Sequence, residues 1–326
     1  MHHPLVSDSR STPSFVVDPG LLLAFENRLD PAAPAPSRLR VLGHGKFSTV
    51  FQIEGAEDVA LKRLPPFPST TARALYERAL NAYHMLLRDT ADLPVVEQQC
   101  LPVTNAAGEY VLYIAQRCQP ADQIGDRLLG RCTDEEAVAV FAAVVRKTLR
   151  VWYRNEIEKE LEVPGSQMGL DARLSNWSVT LEEGKVADIR YLDTGTPFFR
   201  RLDRDHLDPE LFLSSVPAAL ARFVRQHYVG DVLTRYYDLR LVLMDLLADL
   251  YALDQSARVS QALHVVNHVL TVEAPDLGVE PIRVEEVERY AWQDTRFWKR
   301  YLALSRFKRF TTTKVFRRRY PFLLPG

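Results

Sequence analysis

The sequence predicts an α+β chain in two lobes: a small β-rich lobe with one important helix, then a larger, mainly α-helical lobe. Three observations carry this. Short β-prone runs punctuated by glycine fill the stretch from Arg38 to Gln116. Helical periodicity dominates the chain beyond Asp134. A chain of 326 residues also exceeds the roughly 250–300 that one hydrophobic core organises.

Residues 1–37 mix Ser, Pro and Ala around one short apolar patch, FVVDPGLLLAF, and end in PAAPAPSR, whose prolines disfavour both helix and central strand. They are expected to form a leader or a loosely docked arm. RLRVLGHG, STVFQIEG and DVALKRL then read as a meander of three strands. Apolar residues at Leu75, Leu80, Tyr83 and Leu87, behind Ser and Thr capping candidates, predict a helix over 69–88. VVEQQCLPVT and EYVLYIAQ read as two more strands, the second apolar throughout, as a strand covered on both faces is. This small lobe spans 38–116.

The larger lobe, 117–326, opens with a long helix in DEEAVAVFAAVVRKTLRVWYRNEIEKEL. A strand pair, NWSVTLEEGKVADIRYLD, turns at Glu-Glu-Gly, and the chain beyond about Pro209 reads mainly helical. The most apolar run, LRLVLMDLLADLYAL, is interrupted by Asp245 and Asp249 and reads as a buried helix, since a membrane span needs about 20 mainly apolar residues.

Composition narrows the setting. Apolar residues make 47% of the chain and charged residues 25%, which excludes disorder throughout. The three cysteines, Cys100, Cys118 and Cys132, make no CxxC spacing, and the first residues lack the pattern of a secretory signal, so a reducing, cytoplasmic setting is expected. Net charge is −1, yet 296–319 hold ten Lys or Arg and no acid, leaving the rest strongly acidic.

Four motifs carry chemistry. VLGHGKFSTVF places Gly43 and Gly45 between two strands, where glycines let backbone N–H groups approach phosphates; a dinucleotide-binding turn would need a helix next. VALK ends the third strand on Lys62, twelve residues after Val50, and the helix behind it offers one acid, Glu77. GLDARLSNW sets Asp171 and Asn176 five apart, and YLDTG puts Asp193 and Gly195 at the end of a strand. Phosphoryl transfer needs a carboxylate at the acceptor hydroxyl, and an amide with a second carboxylate to hold magnesium against a triphosphate.

In this order and context the motifs resemble the protein-kinase-like superfamily over roughly residues 38–200, nearer its aminoglycoside and choline kinase branch or a bacterial offshoot. The resemblance implies ATP and Mg²⁺ as cofactors. Gly43, Gly45 and Val50 match the phosphate-covering loop, Lys62 the phosphate lysine and Glu77 the helix glutamate expected to pair with it. Asp171 matches the catalytic aspartate, with Arg173 where related enzymes carry Lys or His; Asn176 and Asp193 match the metal ligands. The hinge falls near Gln116 and Cys118, where the cysteine is expected to line an adenine pocket.

The departures are equally specific. Ser48 replaces the third loop glycine, Gly169 and Leu170 replace the His and Arg before the catalytic Asp, Thr194 replaces Phe, and no A-P-E follows. The expected function is phosphoryl transfer from ATP to a hydroxyl of a small molecule, less readily of a protein. The alternatives are an ATP-binding pseudokinase that serves as a scaffold, and a nucleotidyl (AMP) transferase on the same fold.

Two other features are read as structural. His264 and His268 in HVVNH lack the intervening glutamate of a zinc protease helix, so helix packing is expected. The basic tail interleaves aromatics with cations and suits an acidic surface; no nucleic-acid partner is expected. The spacing of Phe297, Trp298, Tyr301, Leu304 and Phe307 predicts a packing stripe with those aromatics buried.

Overall fold

In the small lobe, strand alternation assigns side chains to two faces, and both faces are covered. The computed structural model describes residues 15–29, 39–44, 49–161, 166–202, 204–205, 234–317 and 320. Strands β1 (Leu39–His44), β2 (Thr49–Ile53), β3 (Ala56–Arg63), β4 (Gln98–Thr104) and β5 (Tyr110–Arg117) form one antiparallel sheet in the order β1-β2-β3-β5-β4. With a period of two, Val59, Leu61 and Arg63 take one face of β3 and Ala60 and Lys62 the other. Helix α2 (Thr70–Met85), capped by the Ser69 hydroxyl accepting from the Ala72 N–H at 3.1 Å, packs with Leu112 and Ile114 of β5.

The opposite face is closed by residues expected to be a leader or loosely docked arm. Helix α1 (Pro19–Arg28) starts on Asp18, whose carboxylate accepts from the Gly20 N–H, with Pro19 at the first helical position. Phe15, Val17 and Leu22 form a second core with Phe51, Ile53, Val59, Leu61, Val103, Val111, Tyr113 and Ala115. Glu26 and Arg63 are then sealed beneath it as an ion pair at 2.8 Å, with 0% and 1% of their side chains exposed. Over its described residues 15–29, the arm is thus a packed layer of the lobe, because its apolar patch is what covers β5's second face. This also accounts for the unbroken apolar run of EYVLYIAQ.

The larger lobe is built on α4 (Asp134–Glu160), opened by a capping box between Thr133 and Glu136. Short helix α3 (Gly125–Leu129) precedes it. Strands β7 (Trp177–Glu182) and β8 (Lys185–Tyr191) form a hairpin whose turn residues Glu183 and Gly184 both have left-handed φ, 50° and 74°. Strands β6 (Gln167–Met168), β9 (Phe199–Arg201) and β10 (Arg204–Asp205) make a three-stranded patch. Helices α5 (Leu239–Ala252), α6 (Val259–His268) and α7 (Val284–Phe310) complete the described part. The α+β two-lobed architecture is as expected, and no helix among the described residues is long and apolar enough to cross a membrane.

Two local expectations are corrected. His264 and His268 stack at 6.5 Å on the exposed side of α6, while Val265 and Val266 turn inward, so the pair does not pack the core. In α7, Tyr301 is buried and Phe297 and Trp298 are half-buried, but Phe307 is 60% exposed. The packing stripe ends one turn before Phe307 because its helix face there has turned away from the lobe.

Candidate functional site

A cleft of about 210 Å³ lies between the lobes. Its small-lobe wall follows from register: β2 pairs Val50 with Lys62, β1 pairs Gly43 with Val50, and β3 pairs Lys62 with Ile114, so all four reach one end of the sheet. Gly43, Val50, Ala60, Lys62, Ile114, Gln116 and Cys118 line it, with Ser175, Asn176, Leu192, Asp193 and Gly195 opposite. The lining is mixed: apolar Leu42, Val50, Ala60, Ile114 and Leu192 share it with Arg117, Gln119, Asp126 and Arg127. Gly45 and Ser48 lie outside the described residues.

Within the cleft, the Lys62 Nζ meets the Asp193 Oδ1 at 2.7 Å, with 18% and 24% of their side chains exposed. The Gly195 N–H donates to the same oxygen at 3.1 Å. A Cβ on Gly195 would sit 2.7 Å from the lysine Nζ and 3.0 Å from its Cε, so the end of the lysine passes directly over this glycine and would have to shift for a side chain there. The Tyr76 hydroxyl donates to the Gly195 carbonyl at 3.2 Å, and Gln116 donates to the Leu192 carbonyl at 2.7 Å. Thr194, standing where Phe is usual, is buried and bonds to Gln98.

Glu77 is not brought to Lys62. Among the described residues it forms no ion pair; Tyr76, its neighbour on α2, takes the buried side facing Gly195, which leaves Glu77 half-buried beside Cys100 and Arg73. Burial raises its carboxyl above the usual range, with Arg73 partly offsetting this. Burial likewise pushes the Cys100 thiol up to about 12, with the charge of Glu77 adding to it.

Asp171 is buried and Arg173 half-buried, and neither is among the residues that line the cleft. The guanidinium holds the carboxylate in a fork, Nη2 to Oδ2 at 2.8 Å and Nε to Oδ1 at 3.0 Å. Burial works against the Arg173 charge, but Asp171, Asp249 and Asp245 outweigh it and raise its pKa well above the usual value. The loop carrying Asp171 is fixed from several sides: its carbonyl accepts from the Asn176 amide at 3.0 Å and the Tyr191 hydroxyl at 3.1 Å, and the Ala172 carbonyl accepts from the Trp177 indole at 3.1 Å.

The backbone is also tightly packed at residues 169 and 170, just before Asp171. Gly169 passes so close to the next segment that a Cβ would lie 2.5 Å from the Tyr236 carbonyl, and Leu170 is fully buried while its N–H donates to that carbonyl. No longer side chain fits at 169. Similarly, a Cβ on Gly125 would lie 2.5 Å from the Leu174 carbonyl, so α3 packs its backbone on this loop and brings Asp126 and Arg127 to the cleft rim.

Sequence reasoning did not assign Asp245, Asp249 or Arg235 to the site. Asp249 accepts from the Leu174 N–H at 3.1 Å, Asp245 lies 3.8 Å from Arg173, and Arg235 reaches Asp245 at 3.9 Å and Asp294 at 2.8 Å. The signal of the two aspartates was present as acids four residues apart in a mostly apolar helix: such acids fit where a buried cation or N–H requires them.

The family model described as "Family of unknown function (DUF6206)" matches residues 32–309. The chain belongs to this family. No curated protein matches this DUF6206 chain. Among solved structures similar to it is the GDP complex of wild-type aminoglycoside 2'-phosphotransferase-IIIa, at 11% identity and TM-score 0.34, covering 75% of this chain and 96% of that one. The GDP complex of a point mutant of that enzyme stands at 10% identity and TM-score 0.32, covering 74% and 94%.

Proposed function

We propose that this DUF6206 protein is an ATP-dependent phosphotransferase acting on a hydroxyl of a small molecule. The observation that supports it most is the convergence of Lys62, Asn176 and Asp193 in one cleft, lined also by Val50, Ala60, Ile114 and Leu192 and, at the β5 exit, by Gln116 and Cys118. Such a cleft suits a nucleotide, with the base toward the β5 exit and the phosphates toward the lysine.

Two residues fit a magnesium ion. The Asn176 amide nitrogen is committed to the Asp171 carbonyl, which leaves its Oδ1 for a ligand; Asp193 commits Oδ1 to Lys62 and the Gly195 N–H, which leaves Oδ2. Two hard oxygens suit a cation that keeps its waters and takes the rest of its shell from phosphates. When bound, the ion supplies neutralisation of the triphosphate. In this reading Lys62 turns from Asp193 to the phosphates, and Arg173 positions Asp171, which orients the acceptor hydroxyl and takes its proton. The bond from the γ-phosphorus to the β-phosphate oxygen breaks as the bond to the acceptor oxygen forms. Positioning and electrostatics carry the rate. The chain after Gly195 enters β9, which pairs directly with β6, a short connection that favours a small acceptor over a docked protein segment.

Lys62 paired with Asp193 rather than Glu77 favours a second reading, a nucleotide-binding scaffold. Mass spectrometry of hydroxylated small molecules incubated with the protein, ATP and Mg²⁺ separates the readings. A phosphoryl increment is expected. An adenylyl increment would make it a nucleotidyl transferase, and nucleotide binding with no addition across a broad panel would make it the scaffold.

A further inference from the structure

We propose that the C-terminal half of α7 docks on anionic phospholipid bilayers. The helix changes character along its length. Its first turns carry Glu285, Glu286 and Glu288 and bury Val287 in the large core. Its last acid, Asp294, turns inward to Arg235 at 2.8 Å, and no acid follows through residue 319.

Beyond that point the exposed positions fall three or four apart. Trp292, Arg296, Lys299, Arg300, Ala303, Arg306, Phe307 and Phe310 make one continuous exposed stripe, with Tyr301 and Ser305 buried on the other side. The Arg296 guanidinium lies 5.0 Å over the Trp292 ring. The π turn Thr311–Val315 extends the surface with exposed Lys314, Val315, Phe316 and Arg317. Trp292, Phe307, Phe310, Val315 and Phe316 are each 58–67% exposed. Single exposed apolar residues need no explanation, but five on one basic surface mark a contact.

Charge selects an anionic partner, and the apolar groups select its kind. Cations meet phosphates on a bilayer or a nucleic acid alike. Phe307, Phe310 and Phe316 with aliphatic Val315 match a surface that offers hydrocarbon beneath its phosphates, as the interfacial helices of peripheral proteins use. Val315 has no ring to stack on a base. The strongly acidic remainder of the chain is repelled from the same surface, so docking is confined to this end.

The test is co-sedimentation of the full chain with vesicles of phosphatidylcholine alone or mixed with phosphatidylserine. Binding is expected only with phosphatidylserine and falls steeply as salt rises. Arg300→Gln and Arg306→Gln should each weaken it by about fivefold. Phe307→Ser with Phe310→Ser should abolish pelleting while leaving the melting temperature unchanged, and Phe316→Ser, outside the helix, gives an independent variant. Absence of pelleting with phosphatidylserine at low salt overturns the proposal. So does pelleting that survives loss of all three phenylalanines, or duplex DNA binding more tightly than vesicles and indifferent to those losses.

Discussion

At the scale of single residues, the site separates groups that hold the fold from groups held ready for a ligand. The Lys62–Asp193 pair is partly exposed, so it contributes at most about 1 kcal/mol to stability. Asp193→Ala is therefore expected to leave the melting curve nearly unchanged and abolish Mg²⁺-dependent ATP affinity in calorimetric titration; undiminished affinity with Mg²⁺ would remove Asp193 from the site. Arg173 is the opposite case. Arg173→Ala removes the guanidinium fork from buried Asp171, an expected loss of about 3–5 kcal/mol in denaturant unfolding. Lys62, Asn176 and Asp193, expected from motif spacing, all line the cleft, and the spacing of each is set by local chain geometry. Glu77 was assigned by elimination as the helix's one acid, and elimination cannot see helix phase: Tyr76 holds the inward position. Asp245 and Asp249 were visible only as blemishes in an apolar run, because their contacts with Arg173 and Leu174 span some seventy residues of chain.

At the scale of elements, α1 shows what periodicity misses. The strands of the sheet were legible from alternation and glycine punctuation, whereas a ten-residue helix between proline-rich stretches leaves little period to read. Its hold on the sheet is polar as well as apolar: Glu26 accepts from Arg63, Tyr113 and Asn105. Burial alone would raise the Glu26 carboxyl, but the hydrogen bonds and charge of Arg63, with Tyr113 and Asn105, bring it below the usual range. A carboxyl whose folded pKa is depressed contributes fully above its unfolded value of about 4.3 and loses that contribution as pH falls through the lower folded value. Glu26→Ala is accordingly expected to cost about 3–5 kcal/mol near neutrality, since it strands buried Arg63. The wild-type advantage should shrink on acidification below pH about 4.3; an advantage constant down to strongly acidic pH would mean that Glu26 is not the group being titrated.

At the scale of the whole molecule, the cores do not divide where the lobes do. Tyr76, Ala79, Leu80 and Tyr83 of α2 belong to the same buried cluster as α4 and α5, while the outer sheet face and α1 form a separate one. Polar contacts reinforce the crossing. The Tyr83 hydroxyl donates to the Gly169 carbonyl at 2.8 Å, next to the loop carrying Asp171, and Pro94 and Val96, in the chain after α2, exchange backbone bonds with Tyr191. A helix counted by topology with the small lobe is therefore fastened energetically to the large one. Local opening follows such cooperative units rather than chain order. Native-state hydrogen exchange should then show α2 amides protected to the same level as those of α4, with α1 and the edge strand β1 opening at lower free energy. Tyr83→Phe, which strips a buried carbonyl of its donor at a cost of about 1–3 kcal/mol, should lower the protection of α2 and of the segment around Gly169 together. If α2 instead exchanges in step with α1, the unit of stability is the small lobe, and α2 is free to move against the Asp171 loop as the cleft closes.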